Sequence, residues 1–307
     1  MKLIKLGAID IGSNSVRCLI TNVYKNKNGV HFQKSSMTRL PIRLGEDAFL
    51  KGKISKKNAK RLIEGMKAYK YIMNVHGVKH FRACATSAMR DASNGKELVE
   101  HILEKTGIEI EIIKGKEEAQ LIFDSEVWTK FEIAEKSYCY IDVGGGSTEL
   151  TLFDHGKIVA SKSFNLGTVR ILNGLDTEEA WEEFESWTRE KTAGLSKLAF
   201  IGSGGNINKI FKMSGKRPGM ALDIDYLETT GHYLQKFSVE ERMVRLGLNP
   251  DRADVIIPAL KLYLTAMRSG NSEKMYVPKI GVSDGITRDL YRSVFNHEPT
   301  VLDSRKG

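Results

Sequence analysis

The chain has 307 residues, of which 41% are hydrophobic and 28% are charged. This length and composition predict a soluble globular protein of about two domains, with ample material for a core. No apolar run approaches membrane-spanning length, and the first six residues are too short and too polar for a signal peptide, so neither a membrane nor an export route is expected.

Positive charge is confined to the first part of the chain, although the whole chain has a net charge of +9. Residues 1–124 carry 23 Lys and Arg against 13 Asp and Glu, whereas residues 125–307 carry 24 against 25. The excess is densest at Lys51, Lys53, Lys56, Lys57, Lys60, Arg61, Lys67 and Lys70. Two interpretations stay open, a solvated helix face and a track for a polyanion. Nucleic acid is not the expected partner, because no nucleic-acid-binding motif is present.

Cysteine and histidine usage bears on the compartment and on metals. Cys18, Cys84 and Cys139 are few, odd in number and placed in apolar segments, which predicts buried free thiols in a reducing compartment, the cytoplasm. The seven histidines form no metal-ligand spacing, so a zinc site is not expected.

The first half of the chain begins with three strands joined by short turns. Helices and further strands then alternate as judged from apolar periodicity. The predicted elements are strands 3–11, 16–24 and 30–40, a helix 55–75, a strand 79–85, a helix 95–105, a half-exposed strand 108–113, and a helix 116–128 that bridges the halves. Leu62, Met66, Tyr69 and Met73 recur at helical spacing and are expected to face the core.

The second half repeats this order. Its predicted elements are strands 137–143, 147–153 and 157–163, helices 167–173 and 178–195, a strand 198–201, helical segments that include one capped by Ser238, a core helix 251–267 preceded by the cap Asn249, a strand 275–280 and a helix 286–295. Three strands followed by helix crossovers predict a mixed sheet covered by helices in each half. We therefore predict two α/β domains, 1–124 and 125–307, with the last helix, about 286–307, free to pack back on the first.

Two glycine turns stand out because they share one plan. Asp142 ends an apolar strand and is followed by Gly144, Gly145 and Gly146, and Asp10 is followed in the same way by Gly12. Such turns let backbone N–H groups approach an anion closely. A plain β-hairpin explains each turn equally well. The repetition favours two similar domains that each present a carboxylate and a phosphate-binding turn to one central cleft.

Five motifs together resemble the exopolyphosphatase / guanosine pentaphosphate phosphohydrolase family. They are Asp10-Ile-Gly-Ser-Asn-Ser15, Thr86-Ser-Ala-Met-Arg90 with Asn94, Gly115-Lys-Glu-Glu-Ala119, Asp142-Val-Gly-Gly-Gly-Ser-Thr-Glu149 and Val282-Ser-Asp-Gly285. The resemblance implies two ribonuclease-H-like domains of the actin-like ATPase superfamily around a central cleft. It also implies Mg²⁺-dependent release of phosphate from inorganic polyphosphate or from guanosine pentaphosphate, pppGpp.

The resemblance and the local chemistry assign residues to roles. Glu118 is expected to activate water, since it matches the family's water-activating glutamate; helix-dipole compensation is the alternative. Arg90 is expected to grip phosphate, with a structural arginine as its alternative. Asp142 and Glu149 are expected to act in catalysis by holding Mg²⁺ and positioning water, with Asp10 as their pseudo-symmetric partner at the metal. The predicted phosphate-binding residues are Gly12, Ser13, Asn14, Ser15, Arg17, Gly144, Gly145, Gly146, Ser147, Thr148, Gly204 and Gly205.

Some features depart from the family pattern, and several functions stay open. In the third glycine turn, Gly204 and Gly205 are followed by Asn206, where a threonine or similar residue is expected in relatives. In the last motif, Ile286 stands where a second glycine is usual. The chain lacks a His-Asp dipeptide, so it resembles the short two-domain members.

The first hypothesis for the function is an exopolyphosphatase; a pppGpp phosphohydrolase, a kinase of the superfamily and a non-catalytic alarmone sensor are the alternatives. Activation by K⁺ and a homodimer are both left open.

Overall fold

A computed structural model describes residues 2–27, 29–125, 137–155, 157–195, 198–278 and 280–295. The chain divides into two compact units. The first contains the described residues up to Ser125 together with those from Val282 onward, and the second contains the described residues between them. Each unit has its own sheet.

The helices and strands are named in chain order. The first unit begins with β1 (Lys2–Ile11), β2 (Val16–Asn26), β3 (Gly29–Leu40), α1 (Leu44–Lys51), α2 (Lys56–Val75), β4 (His80–Ala85), α3 (Ser87–Asp91), α4 (Gly95–Thr106), β5 (Glu111–Ile112) and α5 (Gly115–Asp124). The second unit contains β6 (Ser137–Val143), β7 (Thr148–Asp154), β8 (Lys157–Phe164), α6 (Thr168–Leu172), α7 (Glu178–Thr192), β9 (Ala199–Ser203), α8 (Gly205–Met213), β10 (Leu222–Asp223), α9 (Ile224–Gln235), α10 (Val239–Val244), α11 (Pro250–Ala253), α12 (Ile256–Ser269) and β11 (Lys274–Tyr276). The last helix, α13 (Val282–Phe295), returns to the first unit.

The sheet of the first unit has the strand order β3-β2-β1-β4-β5. Strands β1 to β3 are antiparallel, whereas β4 runs parallel to both β1 and β5. Ile9 and Ile11 of β1 belong to a core with buried residues of α2, α3 and α4, while Leu6 packs with Leu290 and Tyr291 of α13. Both faces of the central strand are thus covered by helices.

The sheet of the second unit has the order β10-β11-β9-β6-β7-β8. Strands β6 to β8 are antiparallel, and β6 is parallel to β9 as β1 is to β4. Its core includes Phe184 of α7, Ile210 of α8 and Tyr263 of α12, all fully buried. The predicted fold class is confirmed, because each unit is a mixed sheet with helices, three antiparallel strands coming first.

The sequence does not decide which of the two domains the last helix packs against. In the structure α13 belongs to the first unit, because it contacts β1, β4 and α5 there. Lys34 of β3 also forms an ion pair with Asp284 of α13 across 2.9 Å. The second unit therefore ends at Gly281, before the motif Val282-Ser-Asp-Gly285.

The predicted elements and the observed ones differ in a few places. Helix α1 is absent from the prediction, and the predicted strands 108–113 and 275–280 shorten to Glu111–Ile112 and Lys274–Tyr276. The predicted helix 251–267 is two helices, α11 and α12. Residues 126–128 of the predicted bridging helix lie outside the described residues. The capping box of Ser238 with Glu241 is confirmed.

The prediction made from the cysteines is confirmed. Cys18, Cys84 and Cys139 are buried free thiols, and burial raises the pKa of the Cys18 thiol to about 11. None of the described helices has both the length and the apolar character needed to cross a membrane.

Gly285 provides a test of the packing of α13 on α5. A β-carbon at this position would collide with the backbone carbonyl of Leu121 in α5. We expect Gly285→Ala to lower the free energy of unfolding by about 1–3 kcal/mol, because backbone cannot retreat as a side chain can. Gly231→Ala in α9 is the control, since its β-carbon would meet only Leu260 at 3.9 Å. That control should stabilise by about 0.5–1 kcal/mol. Urea unfolding followed by circular dichroism measures both; equal effects would contradict the contact.

Candidate functional site: two phosphate-binding turns and their carboxylates

The first glycine turn joins β1 to β2. The Gly12 amide donates to the carbonyl of Ser15 across 3.2 Å, which closes the turn. The carbonyls of Ser13 and Asn14 accept from the amides of Gly45 and Arg43 at the start of α1, across 2.8 and 3.2 Å. The Ser13 hydroxyl shares a hydrogen bond of 2.9 Å with Ser87 at the start of α3. The turn is therefore held from two sides.

The second turn joins β6 to β7 and repeats this arrangement. The Gly144 amide donates to the carbonyl of Ser147 across 3.0 Å. The carbonyls of Gly144 and Gly145 accept from the amides of Thr168 and Val169 at the start of α6, across 3.0 and 2.8 Å. The Gly146 carbonyl accepts from Nε of Arg170 across 2.7 Å.

The backbone around this second turn is packed closely. A β-carbon at Gly167 would collide with the backbone of Gly145 and Gly146, so only glycine allows α6 to start here. Thr148 donates its hydroxyl to the carbonyl of Leu166 across 2.6 Å. That hydroxyl proton is used inside the protein, so the predicted contact of Thr148 with phosphate would have to come from another atom of the residue.

The occupied carbonyls fix the direction of the amides. In a planar trans peptide the C=O and the following N–H point in opposite directions. Since the carbonyls of Gly144, Gly145 and Gly146 point to the start of α6, the amides of Gly145, Gly146 and Ser147 point away from it. None of these three amides donates a backbone hydrogen bond within the described part of the chain, although all three residues are buried. Successive amides of this kind form an anion-binding concavity.

The strand register places a carboxylate beside each turn. Asp10 lies opposite Arg17 in the β1–β2 pair, and Asp142 lies opposite Glu149 in the β6–β7 pair. Directly opposite residues share a face of the sheet and are close enough to interact. The two units thus differ at one equivalent position, where the first has an arginine and the second a glutamate.

This difference changes the chemistry of the two aspartates. Asp10 is 4% exposed and forms an ion pair of 3.0 Å with Arg17. Burial raises the pKa of Asp10, and the Arg17 guanidinium opposes that rise. Glu149 is 3% exposed and accepts a hydrogen bond of 2.8 Å from Ser163. In the first unit, the predicted metal ligand Asp10 and the predicted phosphate-binding residue Arg17 are therefore paired with each other.

The third glycine turn lies next to Asp142 in the second unit. Gly204 has a φ of 113°, and a β-carbon there would lie 3.2 Å from the Tyr263 hydroxyl and 3.7 Å from Oδ1 of Asp142. Tyr263 is fully buried and donates to the carbonyl of Ser203. Burial, with a smaller contribution from the Asp142 charge, raises the pKa of Tyr263 well above its usual value. Gly205 begins α8 beside the guanidinium of Arg252.

The pair Asp142 and Glu149 fits Mg²⁺ in its chemistry. Mg²⁺ prefers carboxylate oxygens and typically takes one or two of them, keeping water and substrate oxygens as the rest. Like charges directly opposite on adjacent strands are unfavourable, which a cation between them relieves. Among the described residues there is no group of three or more His, Cys, Asp or Glu side chains that could hold a metal ion. The site that we consider for Mg²⁺ therefore has two carboxylates.

Glu118 lies in the first turn of α5 and is 8% exposed. Its amide and that of Glu117 both donate to the carbonyl of Lys114, across 2.9 and 3.0 Å. Arg90 donates from Nη1 to the carbonyl of Ile113 across 3.1 Å, at the entry to the same helix. The structure therefore brings Arg90 close to the helix that carries Glu118, with part of its guanidinium used by backbone.

Several residues that shape the site carry no sequence signal of their own. Arg82, Arg170 and Tyr263 act through partners more than 20 positions away, which composition and periodicity do not reveal. Ser163 could have been inferred, since a β7–β8 hairpin pairs it with Glu149 once the register is known.

Comparison with known proteins identifies the family. The model of the Ppx/GppA phosphatase family matches residues 22–294. The chain belongs to this family. Exopolyphosphatase 1 of Mycobacterium tuberculosis is 24% identical over 303 residues, covering 92% of this chain and 87% of that protein. Exopolyphosphatase 2 of the same organism is 32% identical over 177 residues, covering 56% of this chain and 54% of that protein.

Solved structures of Ppx/GppA proteins show the same fold. An exopolyphosphatase from Cytophaga hutchinsonii superposes with a TM-score of 0.80 at 22% identity, covering 96% of this chain and 99% of that one. The Aquifex aeolicus family member gives a TM-score of 0.75 at 22% identity, covering 97% and 100%. The actin-like two-domain fold is thus shown, and the Ppx/GppA membership makes the chain a hydrolase of phosphoanhydride bonds.

Proposed function

We propose that this protein is an Mg²⁺-dependent exopolyphosphatase that releases terminal phosphate from inorganic polyphosphate. The proposal depends on the successive amides of residues 145–147, which point away from α6. They lie beside Asp142 and Glu149, which are directly opposite each other on β6 and β7. Hydrolysis of a phosphoanhydride needs neutralised charge on the transferred group and an oriented water, which are the two tasks these groups can perform.

The proposal gives a role to the groups found within each unit. In the second unit the amides at 145–147 bind phosphate oxygens, while Asp142 and Glu149 would hold Mg²⁺. When bound, Mg²⁺ neutralises phosphate oxygens and polarises the phosphoryl group. In the first unit the turn at Gly12–Ser15 binds phosphate oxygens. Glu118 accepts the proton from the attacking water, a task that suits a carboxylate at the start of a helix.

A basic cavity in the first unit supports polyphosphate as the substrate. It has a volume of about 270 Å³ and lies beside the first turn, because Arg43 in its wall donates its amide to the Asn14 carbonyl. Its charged lining residues are Arg43, Glu46, Asp47, Lys51, Lys57 and Arg61. The cations outnumber the acids, and Lys60 and Lys67 are exposed on the same helix α2. Clustered positive charge of this kind attracts an extended polyanion.

A chain-length comparison tests this assignment. We expect Lys57→Gln to lower kcat/KM for long polyphosphate several-fold, with little change for triphosphate, because we propose that a triphosphate is held at the glycine turns and that only a longer chain extends to Lys57. Lys56→Gln is the matched control: Lys56 is exposed on the same helix and does not line the cavity. The loss should shrink at high salt as exposed charges are screened. Equal losses in both variants, or equal losses on both substrates, would remove this cavity from the substrate path.

A substrate panel at equal concentration separates the remaining functions. Release of phosphate from polyphosphate in preference to pppGpp and ATP supports the proposal. Preferential turnover of pppGpp would make the protein a guanosine pentaphosphate phosphohydrolase instead. Tight binding of pppGpp by calorimetry, without turnover of any substrate, would make it an alarmone sensor.

A further inference from the structure

Arg82 links four elements of the first unit. It lies on β4, and its side chain is 16% exposed. Its Nε and Nη2 bind the Glu111 carboxylate of β5 across 3.0 and 2.7 Å. Its Nη2 also reaches Glu117 of α5 across 3.1 Å, and its Nη1 reaches Asp289 of α13 across 2.8 Å.

The geometry of this network favours arginine over any other cation. A guanidinium presents five donors in a rigid plane, so it can serve three carboxylates that approach from different directions. The three acids are themselves half-exposed, whereas the arginine between them is mostly buried. Leaving such a buried charge without partners is costly, so Arg82 is expected to keep carboxylates around it.

The arm to Glu117 reaches the first turn of α5, next to Glu118. The amides of both glutamates donate to the same carbonyl, that of Lys114, so the two residues belong to one hydrogen-bonded turn. Further along, α13 packs against α5 where Gly285 meets Leu121. Arg82 thus contacts the first turn of α5, and Arg90 contacts Ile113, which leads into that helix.

We propose that Arg82 is a positioning residue that acts through Glu117 to fix the direction of the Glu118 carboxylate. The inference rests on the proposed role of Glu118 as the group that activates water. A carboxylate displaced by about 1 Å from its productive position can lose about 100-fold in rate, which gives the contact a measurable consequence.

The three arms of the network allow a matched experiment. We expect Glu117→Gln to lower kcat on polyphosphate about 10-fold or more, with KM changed less than 2-fold, because the phosphate turns are untouched. Glu111→Gln is the control: it removes the charge and one acceptor oxygen from the contact with β5 and leaves Glu117 itself unchanged. It should lower the melting temperature while kcat stays within about 2-fold of the wild type. Arg82→Lys keeps the charge but loses the fork, and it should follow Glu117→Gln in kcat.

A second readout does not depend on activity. Hydrogen exchange, followed on peptides that span residues 115–122, should accelerate in Glu117→Gln and stay at the wild-type rate in Glu111→Gln. If Glu111→Gln lowers kcat as much as Glu117→Gln, the network is a general stabiliser and the proposal is wrong. Unchanged exchange in Glu117→Gln would overturn it as well. Absence of activity in the wild type would instead refute the proposed function, and exchange would still report on the contact.

Discussion

Glu118→Gln should lower kcat on polyphosphate by about 10²–10⁴-fold, while KM and binding of a phosphate chain stay close to wild type. The amide keeps the size and hydrogen-bonding reach of the carboxylate but cannot accept a proton from water. Glu118 is 8% exposed in the first turn of α5, where a retained side-chain shape should keep the fold intact. Steady-state kinetics with Mg²⁺ present measures the change, and circular dichroism checks the fold.

A control is needed, because a glutamate in the first turn also compensates the helix dipole. Glu97 also lies in the first turn of a helix of the same unit, α4, one position nearer the helix start than Glu118 is in α5, and it is exposed. Glu97→Gln should cost about 0.3–1 kcal/mol of stability with no change in kcat. If Glu118→Gln behaves like Glu97→Gln, with full turnover and a small loss of stability, then Glu118 serves the helix alone and another group must activate water.

The glycine turns show how far sequence reasoning reaches. Asp10 with Gly12, and Asp142 with Gly144, each predict a strand that ends in a tight turn, and both turns are found. This succeeds because hairpin geometry is local: the residues that close the turn at Gly12 and Ser15 are three positions apart. The helices that hold the turn carbonyls, α1 and α6, lie 20 or more positions downstream, and only the folded chain brings them there.

The strand register supplies what the motifs do not. Both turns look alike in sequence, yet Asp10 faces Arg17 while Asp142 faces Glu149. The side-chain pairing across a hairpin follows directly from the turn length, so this contrast is implicit in the sequence. The predicted equivalence of Asp10 and Asp142 as metal ligands treats the aspartates without their partners, and the partners are what distinguish them.

Short strands were harder to predict than long ones for a physical reason. The segment 108–113 alternates as a strand would, and Ile108 and Ile110 are buried, yet only Glu111 and Ile112 pair with β4. Alternation reports which side chains are buried and says nothing of backbone pairing, which requires a neighbouring strand of matching length. The strand predicted at 275–280 shortens in the same way, as Met275 and Tyr276 pair with β9 and the chain then leaves the sheet.

The contrast between the two aspartates leads to a test of the metal site that needs no turnover. Mg²⁺ should raise the melting temperature of the wild type, because a ligand that binds only the folded state stabilises it, by about 2.7 kcal/mol at 100 times its Kd. Asp142→Asn and Glu149→Gln should each abolish most of this rise, since each removes one of two opposed carboxylates. Activity with Mg²⁺ should fall with it.

Asp10→Asn is the matched control, an Asp-to-Asn change at the equivalent strand position. It frees Arg17 from its ion pair and so should lower stability with and without Mg²⁺ alike, leaving the Mg²⁺-dependent rise intact. Calorimetric titration of Mn²⁺ into each variant measures binding directly. Loss of the Mg²⁺-dependent rise in Asp10→Asn but not in Asp142→Asn would assign the metal to the first turn. Asp142 and Glu149 would then have to act on water or phosphate without a metal between them.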